Sequence, residues 1–122
     1  MTAPSVIVLA DDLIWSTRLV AHLRTVGAEP VPVHTLDDFR AALPTAGAVV
    51  VDLTAWRYDG VEAVREASSA GLRVIAVGQH DDLDLRKRAL AAGAERVYAY
   101  RKLFEDGPAT LGPWLTLATA GR

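Results

Sequence analysis

Along the chain, apolar residues gather in five short runs: 5–10 (SVIVLA), 31–34 (VPVH), 47–52 (GAVVVD), 73–77 (RVIAV) and 96–100 (RVYAY). The first, third and fourth are β-branched and continuous rather than alternating, as parallel strands covered on both faces are. Between them, apolar residues recur at helical spacing. Residues 13–26 set Leu13, Leu19, Leu23 and Val26 along one side, with Gly27 as a C-terminal stop. Thr35 ahead of Asp37 and Asp38 has the composition of a helix start, with Phe39, Ala42 and Leu43 inward and Pro44 ending the turn. Residues 61–70 group Val61, Val64 and Ala67 before Gly71, and residues 82–92 group Leu83, Leu90 and an alanine-rich turn before Gly93. The last segment, PATLGPWLTLATA, is expected to be irregular, because Gly112 and Pro113 break a helix that runs through them.

The order is therefore βαβαβαβαβα with short connections. Strict alternation predicts parallel strands joined by right-handed crossovers. The expected fold is α/β and flavodoxin-like: a doubly wound, five-stranded parallel sheet of order 2-1-3-4-5 inside a (βα)5 three-layer sandwich. A length of 122 residues suits one domain, residues 1–122, and no linker, repeat or low-complexity stretch divides it.

Composition narrows the chemistry. Hydrophobic residues make up 51% and charged residues 23% of the chain, enough apolar material for a core. A net charge of −2 gives no general attraction to nucleic acid or to an anionic membrane. The absence of cysteine excludes disulfides, thiolate metal sites and thiol catalysis. The N-terminal run has no preceding basic residues and ends in two aspartates, so it reads as a strand and not a signal peptide. No segment approaches the ~20 apolar residues that span a bilayer. A soluble, cytoplasmic location is expected. His22, His34 and His80 show no metal-ligand spacing.

In doubly wound sheets, ligands bind beyond the carboxyl ends of the strands, at the switch in strand order. With order 2-1-3-4-5 the first and third strands meet there. Asp11 and Asp12 follow the first strand and Asp52 ends the third. Three carboxylates so placed favour a raised proton affinity or a divalent cation, and oxygen-only ligands favour Mg²⁺. Singly, each aspartate is also what a helix cap requires.

The acidic pair Asp11-Asp12, Asp52, the Asp59-Gly60 pair beyond it and the helix end AAGA at 91–94 together resemble the receiver domains of two-component response regulators. The resemblance spans nearly the whole chain. It implies that Asp52 is the phosphoacceptor for a histidine kinase. It also implies that Asp12, Asp52 and the Thr54 backbone carbonyl hold Mg²⁺, with Asp11 acting through water. Such a centre would work by neutralising phosphoryl charge while an in-line carboxylate attacks.

Departures from that pattern are concentrated at the same site. The family's hydroxyl residue at the end of the fourth strand falls on Gly78, and its lysine at the end of the fifth falls on Tyr100. Arg101 and Lys102 are neighbouring candidates, the string KLF at 102–104 imitating the family's Lys-Pro-Phe. Trp56 stands where a proline is common. These losses suggest an atypical, stand-alone receiver that is not an enzyme, with weak or absent phosphorylation of Asp52. It would act in phosphorelay signalling by binding a protein, either a histidine kinase or an output protein. Arg86, Tyr98 and Tyr100 form the candidate interaction face, through which homodimerisation is also open. The alternatives are a working Mg²⁺-dependent phospho-receiver in which Lys102 suffices, and a small-molecule-binding flavodoxin-like domain. No glycine-rich phosphate loop follows the first strand, which counts against a nucleotide.

Overall fold

A computed structural model describes residues 4–79 and 81–120, with side chains to residue 115. Five parallel strands, β1 (Ser5–Leu9), β2 (Glu29–Val33), β3 (Ala48–Asp52), β4 (Arg73–Gly78) and β5 (Arg96–Ala99), form one sheet of order β2-β1-β3-β4-β5. The helices between and after them are α1 (Leu13–Thr25), α2 (Leu36–Ala42), α3 (Gly60–Ser69), α4 (Leu83–Ala92) and α5 (Tyr100–Ala120). The expected topology and strand order are both present.

The continuous apolar strands bury both faces, as parallel pairing requires. Ile7 and Leu9 of β1, with Val49 and Val51 of β3, face a core closed by Phe39 of α2, Val64 and Ala67 of α3 and Ala89 of α4. Val6, Val8 and Val50 point the other way, onto Leu19 and Leu23 of α1 and Leu103, Leu111 and Trp114 of α5. The edge strand β2 begins two residues earlier than its apolar run suggests. It carries Pro30 and Pro32, which cost little on a strand paired on one side only.

Three leucines expected inside are exposed. Leu13 opens α1 beyond the packed part of the sheet, and Leu83 and Leu90 lie on the outer side of α4. The inward stripe of α4 runs instead through Leu85, Ala89 and Ala92. Small residues there let the helix approach β5 closely, and this turns the larger leucines outward.

The last segment also departs from expectation. α5 continues through Gly112 and Pro113, and its break comes earlier, at Asp106 (φ −126°, ψ 29°). Pro108 lacks an N–H for the Phe104 carbonyl, so the chain restarts after the break with Pro108 in a first turn, where that N–H is not needed. Pro113 costs ~3 kcal/mol in a helix interior. Burial of Leu111, Trp114 and Leu115 opposes this with ~1.5–3 kcal/mol for each large apolar side chain. Packing wins.

The first four strand-to-helix turns above the sheet are each fixed by a polar cap. Asp12, Thr35, Asp59 and Asp82 accept backbone N–H groups in the first turns of α1, α2, α3 and α4. Directly after Asp59, a Cβ on Gly60 would lie 3.0 Å from Leu53 Cα and 3.2 Å from the Asp52 carbonyl oxygen. Both neighbours are backbone and cannot yield easily. Gly60→Ala is therefore expected to lower stability by ~1–3 kcal/mol, the usual cost of overpacking. Urea unfolding of the two proteins measures the difference.

Candidate functional site

Strand order brings the ends of β1 and β3 side by side, and the side chains there are tied down in an unforeseen way. Asp52 is 0% exposed. Its Oδ1 accepts the Thr54 N–H at 2.8 Å and the Thr54 hydroxyl at 2.7 Å. Its Oδ2 is buried with no hydrogen-bond partner. Behind it, the Tyr58 hydroxyl lies 3.0 Å from the Leu9 carbonyl and 2.9 Å from the Asp52 carbonyl, bridging the ends of β1 and β3 with a single proton. Burial first, and then the Asp52 charge, raise the Tyr58 pKa above its ordinary value, so the phenol remains a donor.

The other two aspartates each engage backbone amides through one oxygen. Asp12 Oδ1 caps α1 by accepting the N–H groups of Ile14 (2.8 Å) and Trp15 (3.2 Å). Asp11 Oδ2 reaches across to the loop after β3, accepting from the Trp56 N–H at 2.9 Å and the Arg57 N–H at 3.3 Å. The expected three-carboxylate Mg²⁺ centre is not assembled: among the described residues no group of three or more acidic or histidine side chains is placed to hold a metal. Asp11 and Asp12 line a cleft of about 390 Å³, and Asp52 does not. The reason is Thr54. Its amide and hydroxyl turn toward Asp52 and close over it. In this arrangement the three carboxylates do not converge on one point, while Asp52 Oδ2 is left without a hydrogen-bond partner.

Tyr100 is the residue that reaches this site from β5. It is the first residue of α5 and not the last of the strand, and it is 8% exposed. Its hydroxyl lies 3.4 Å from Thr54 Oγ1. The single Thr54 hydroxyl proton points to Asp52, which leaves Tyr100 as the donor in that contact. Burial, and next the Asp52 charge, raise the Tyr100 pKa and keep it protonated. Being buried, Tyr100 is not part of an exposed interaction face; Tyr98 is half-buried and Arg86 exposed. Lys102 points away and pairs with Asp106 at 3.3 Å, while Arg101 pairs with Glu105 at 3.0 Å.

Sequence reasoning missed the cover over Tyr100. The Trp15 ring stacks on it with centroids 3.9 Å apart, Phe104 meets Trp15 edge-on at 6.4 Å, and the Arg18 guanidinium sits 4.1 Å above Phe104. Trp15 and Arg18 are three residues apart on α1, as Tyr100 and Phe104 are four apart on α5. That spacing was the available signal. Gly78 ends β4 beside this cover. A Cβ there would meet Leu53 at 3.6 Å, ordinary contact, so no steric constraint requires glycine.

No protein-family model matches the sequence, and no curated protein does. Solved structures do match. The BeF3-activated DrrB receiver domain superposes with a TM-score of 0.81 at 20% identity, covering 94% of this chain and 99% of its own. The fold is that of a response regulator receiver domain. A CheY-like receiver domain protein from Methanospirillum hungatei JF-1 gives a TM-score of 0.79 at 18% identity, over 99% of this chain and 100% of its own. A response regulator protein from Burkholderia pseudomallei, with a phosphorylated aspartic acid, calcium ion and citrate, gives 0.76 at 17% identity, over 97% of this chain and 72% of its own. Among the described residues no helix is long and apolar enough to cross a membrane.

In this receiver fold the Thr54 hydroxyl is the chief support of a buried charge. Thr54→Val, which keeps shape and removes the donor, is expected to cost ~1.5–3 kcal/mol, the value of a hydrogen bond to a charged group. Gly78→Ala is expected to leave stability nearly unchanged. Denaturant titration of both variants checks the contrast.

Proposed function

We propose that this chain is an atypical receiver domain of two-component phosphorelay signalling. In this reading residues 1–122 form a cytoplasmic, non-enzymatic module that works by binding another signalling protein. Asp52 is phosphorylated weakly or not at all. The observation that carries the reading is the enclosure of Asp52, which is fully buried and bonded twice to Thr54, with Tyr100 against Thr54 and Trp15 against Tyr100.

The charge balance supports it. A phosphoryl group adds about −1.5 to −2 charges and three acceptor oxygens. Neither Lys102 nor Arg101 is turned toward it, and Gly78 has no hydroxyl to offer. Each missing charge-assisted bond forfeits ~1.5–3 kcal/mol. Mg²⁺ would find Asp11 and Asp12 already engaged, so its binding is weak in this reading.

The contact surface is α4 and its neighbourhood. Arg86 lies among the exposed Leu83, Lys87 and Leu90, with Tyr98 half-buried on β5. Basic and apolar groups together suit an acidic, amphipathic segment of a kinase or output protein, or a second copy of the chain. Nucleic acid is not an expected partner at a net charge of −2.

A second reading, a working Mg²⁺-dependent phospho-receiver, is favoured by one observation. Asp52 Oδ2 has no partner, which leaves one oxygen free to attack if the cover opens.

Acetyl phosphate with Mg²⁺, followed by intact mass measurement, separates the two. The native chain is expected to gain no phosphoryl mass. The double variant Gly78→Thr/Tyr100→Lys is expected to gain one, lost again on adding Asp52→Ala. Near-complete, Mg²⁺-dependent modification of the native chain would favour the second reading. Once a partner is in hand, Arg86→Ala should weaken its binding and Asp52→Asn should not.

A further inference from the structure

A second cavity opens at the other end of the sheet from Asp52. Asp52 sits opposite Val77, near the carboxyl end of β4, whereas this cavity begins at Arg73, the first residue of that strand. Its volume is about 490 Å³, in the range of small-molecule sites, ~300–1,000 Å³. Side chains alternate along a strand, so Arg96 and Tyr98 of β5 share one face. The register that sets Arg96 opposite Ile75 puts Arg73 of β4 on that face too. From above, α5 closes the cavity with Thr110, Pro113 and Trp114.

The charges on this wall do not balance. Both oxygens of Glu95 are taken by Nε and Nη2 of Arg73. Arg96 has no hydrogen-bond or ion-pair partner among the described residues. Two guanidiniums against one carboxylate leave one positive charge to be answered. A charged residue on an edge strand also discourages pairing with another sheet. That role asks nothing of α5.

The second, independent observation is on α5. Trp114 is 5% exposed, and its indole Nε1–H is buried with no acceptor. Buried donors in folded proteins are nearly always paired, and an orphan calls for a reason. Phenylalanine would fill the same place without leaving a donor unmet. Because Trp114 lines the cavity, an acceptor atom on a molecule seated there removes the deficit.

The class of molecule follows from the two walls together. A guanidinium is a planar fork that matches a carboxylate through two parallel bonds. The rings of Tyr98, Pro113 and Trp114 offer flat apolar surface to a ring between them. A bare phosphate meets the charge and leaves those faces unused. An aromatic ring bearing a carboxylate uses both.

We propose that this cavity binds a small aromatic carboxylate. Its charge lies on Arg96, its ring against Tyr98, Pro113 and Trp114, and an acceptor oxygen meets the indole N–H. The site shares only Tyr98 with the contact surface of the signalling reading and does not depend on that reading.

The chain contains three tryptophans, and Trp15 and Trp56 line the cleft at the opposite edge of the sheet, which makes the test internal. Benzoate is titrated into the ¹⁵N-labelled full chain at constant pH and ionic strength, and the indole N–H signals are followed. The Trp114 signal is expected to shift saturably while those of Trp15 and Trp56 stay still. Benzamide, which has the shape without the charge, should bind about tenfold more weakly or worse. Two variants are read through the backbone amides of β5. Arg96→Ala, at an exposed edge position, and Trp114→Phe, which keeps a ring and removes the donor, should each weaken benzoate binding severalfold. Equal binding of benzamide, an unchanged midpoint in either variant, Trp15 or Trp56 moving at the Trp114 midpoint, or no saturable shift would each overturn the proposal. So would inorganic phosphate moving Trp114 at the same midpoint as benzoate, since the aromatic body would then contribute nothing.

Discussion

A carboxylate at the centre of a desolvated sheet edge governs much of what surrounds it. Asp52 ends β3, flanked by β1 and β4, with helices covering both faces. An ionised group there is costly unless hydrogen bonds replace its water. Thr54 supplies two such bonds to one oxygen by bringing both its amide and its hydroxyl to bear. That turn fixes the start of the loop, and Asp11 fixes its middle through the amides of Trp56 and Arg57. Tyr58 then anchors the far side to the strand ends. Gly60 is the consequence: a loop drawn this close to β3 leaves no room for a Cβ where α3 begins.

The same constraint explains the outer layer. With Thr54 committed to Asp52, its oxygen faces Tyr100, and the Tyr100 ring gives Trp15 a surface to stack on. Phe104 and Arg18 extend the contact along α5 and α1. No hydroxyl on β4 and no cation from α5 reaches Asp52, so its hydrogen bonds come from Thr54.

The architecture was open to direct reading. Unbroken β-branched runs alternating with helical spacing specify parallel strands in a doubly wound sheet, and the flavodoxin-type order expected for such a sheet is the one observed. Caps such as Asp12, Thr35 and Asp59 followed from local backbone need, which depends on residues close in sequence. The facing of α4 was misread because size was taken as the guide to burial. Packing distance chose Ala89 over Leu83 and Leu90. The course of α5 through Pro113 was misread because local propensity yielded to the burial of Leu111 and Trp114.

At the site, the sequence by itself determined that Asp11, Asp12 and Asp52 lie at one edge of the sheet, with Gly78 closing β4 and Tyr100 following β5. It could not determine which atoms each carboxylate engages. Hydrogen bonds from Thr54, 2.7 and 2.8 Å long, decided that Asp52 is closed off from the cleft its neighbours line. Tertiary packing alone decided that Tyr100 turns inward while Arg101 and Lys102 turn out. Those choices depend on the rotation of α5 about its axis, and that rotation is set by Leu103, Leu111 and Trp114 settling onto the sheet.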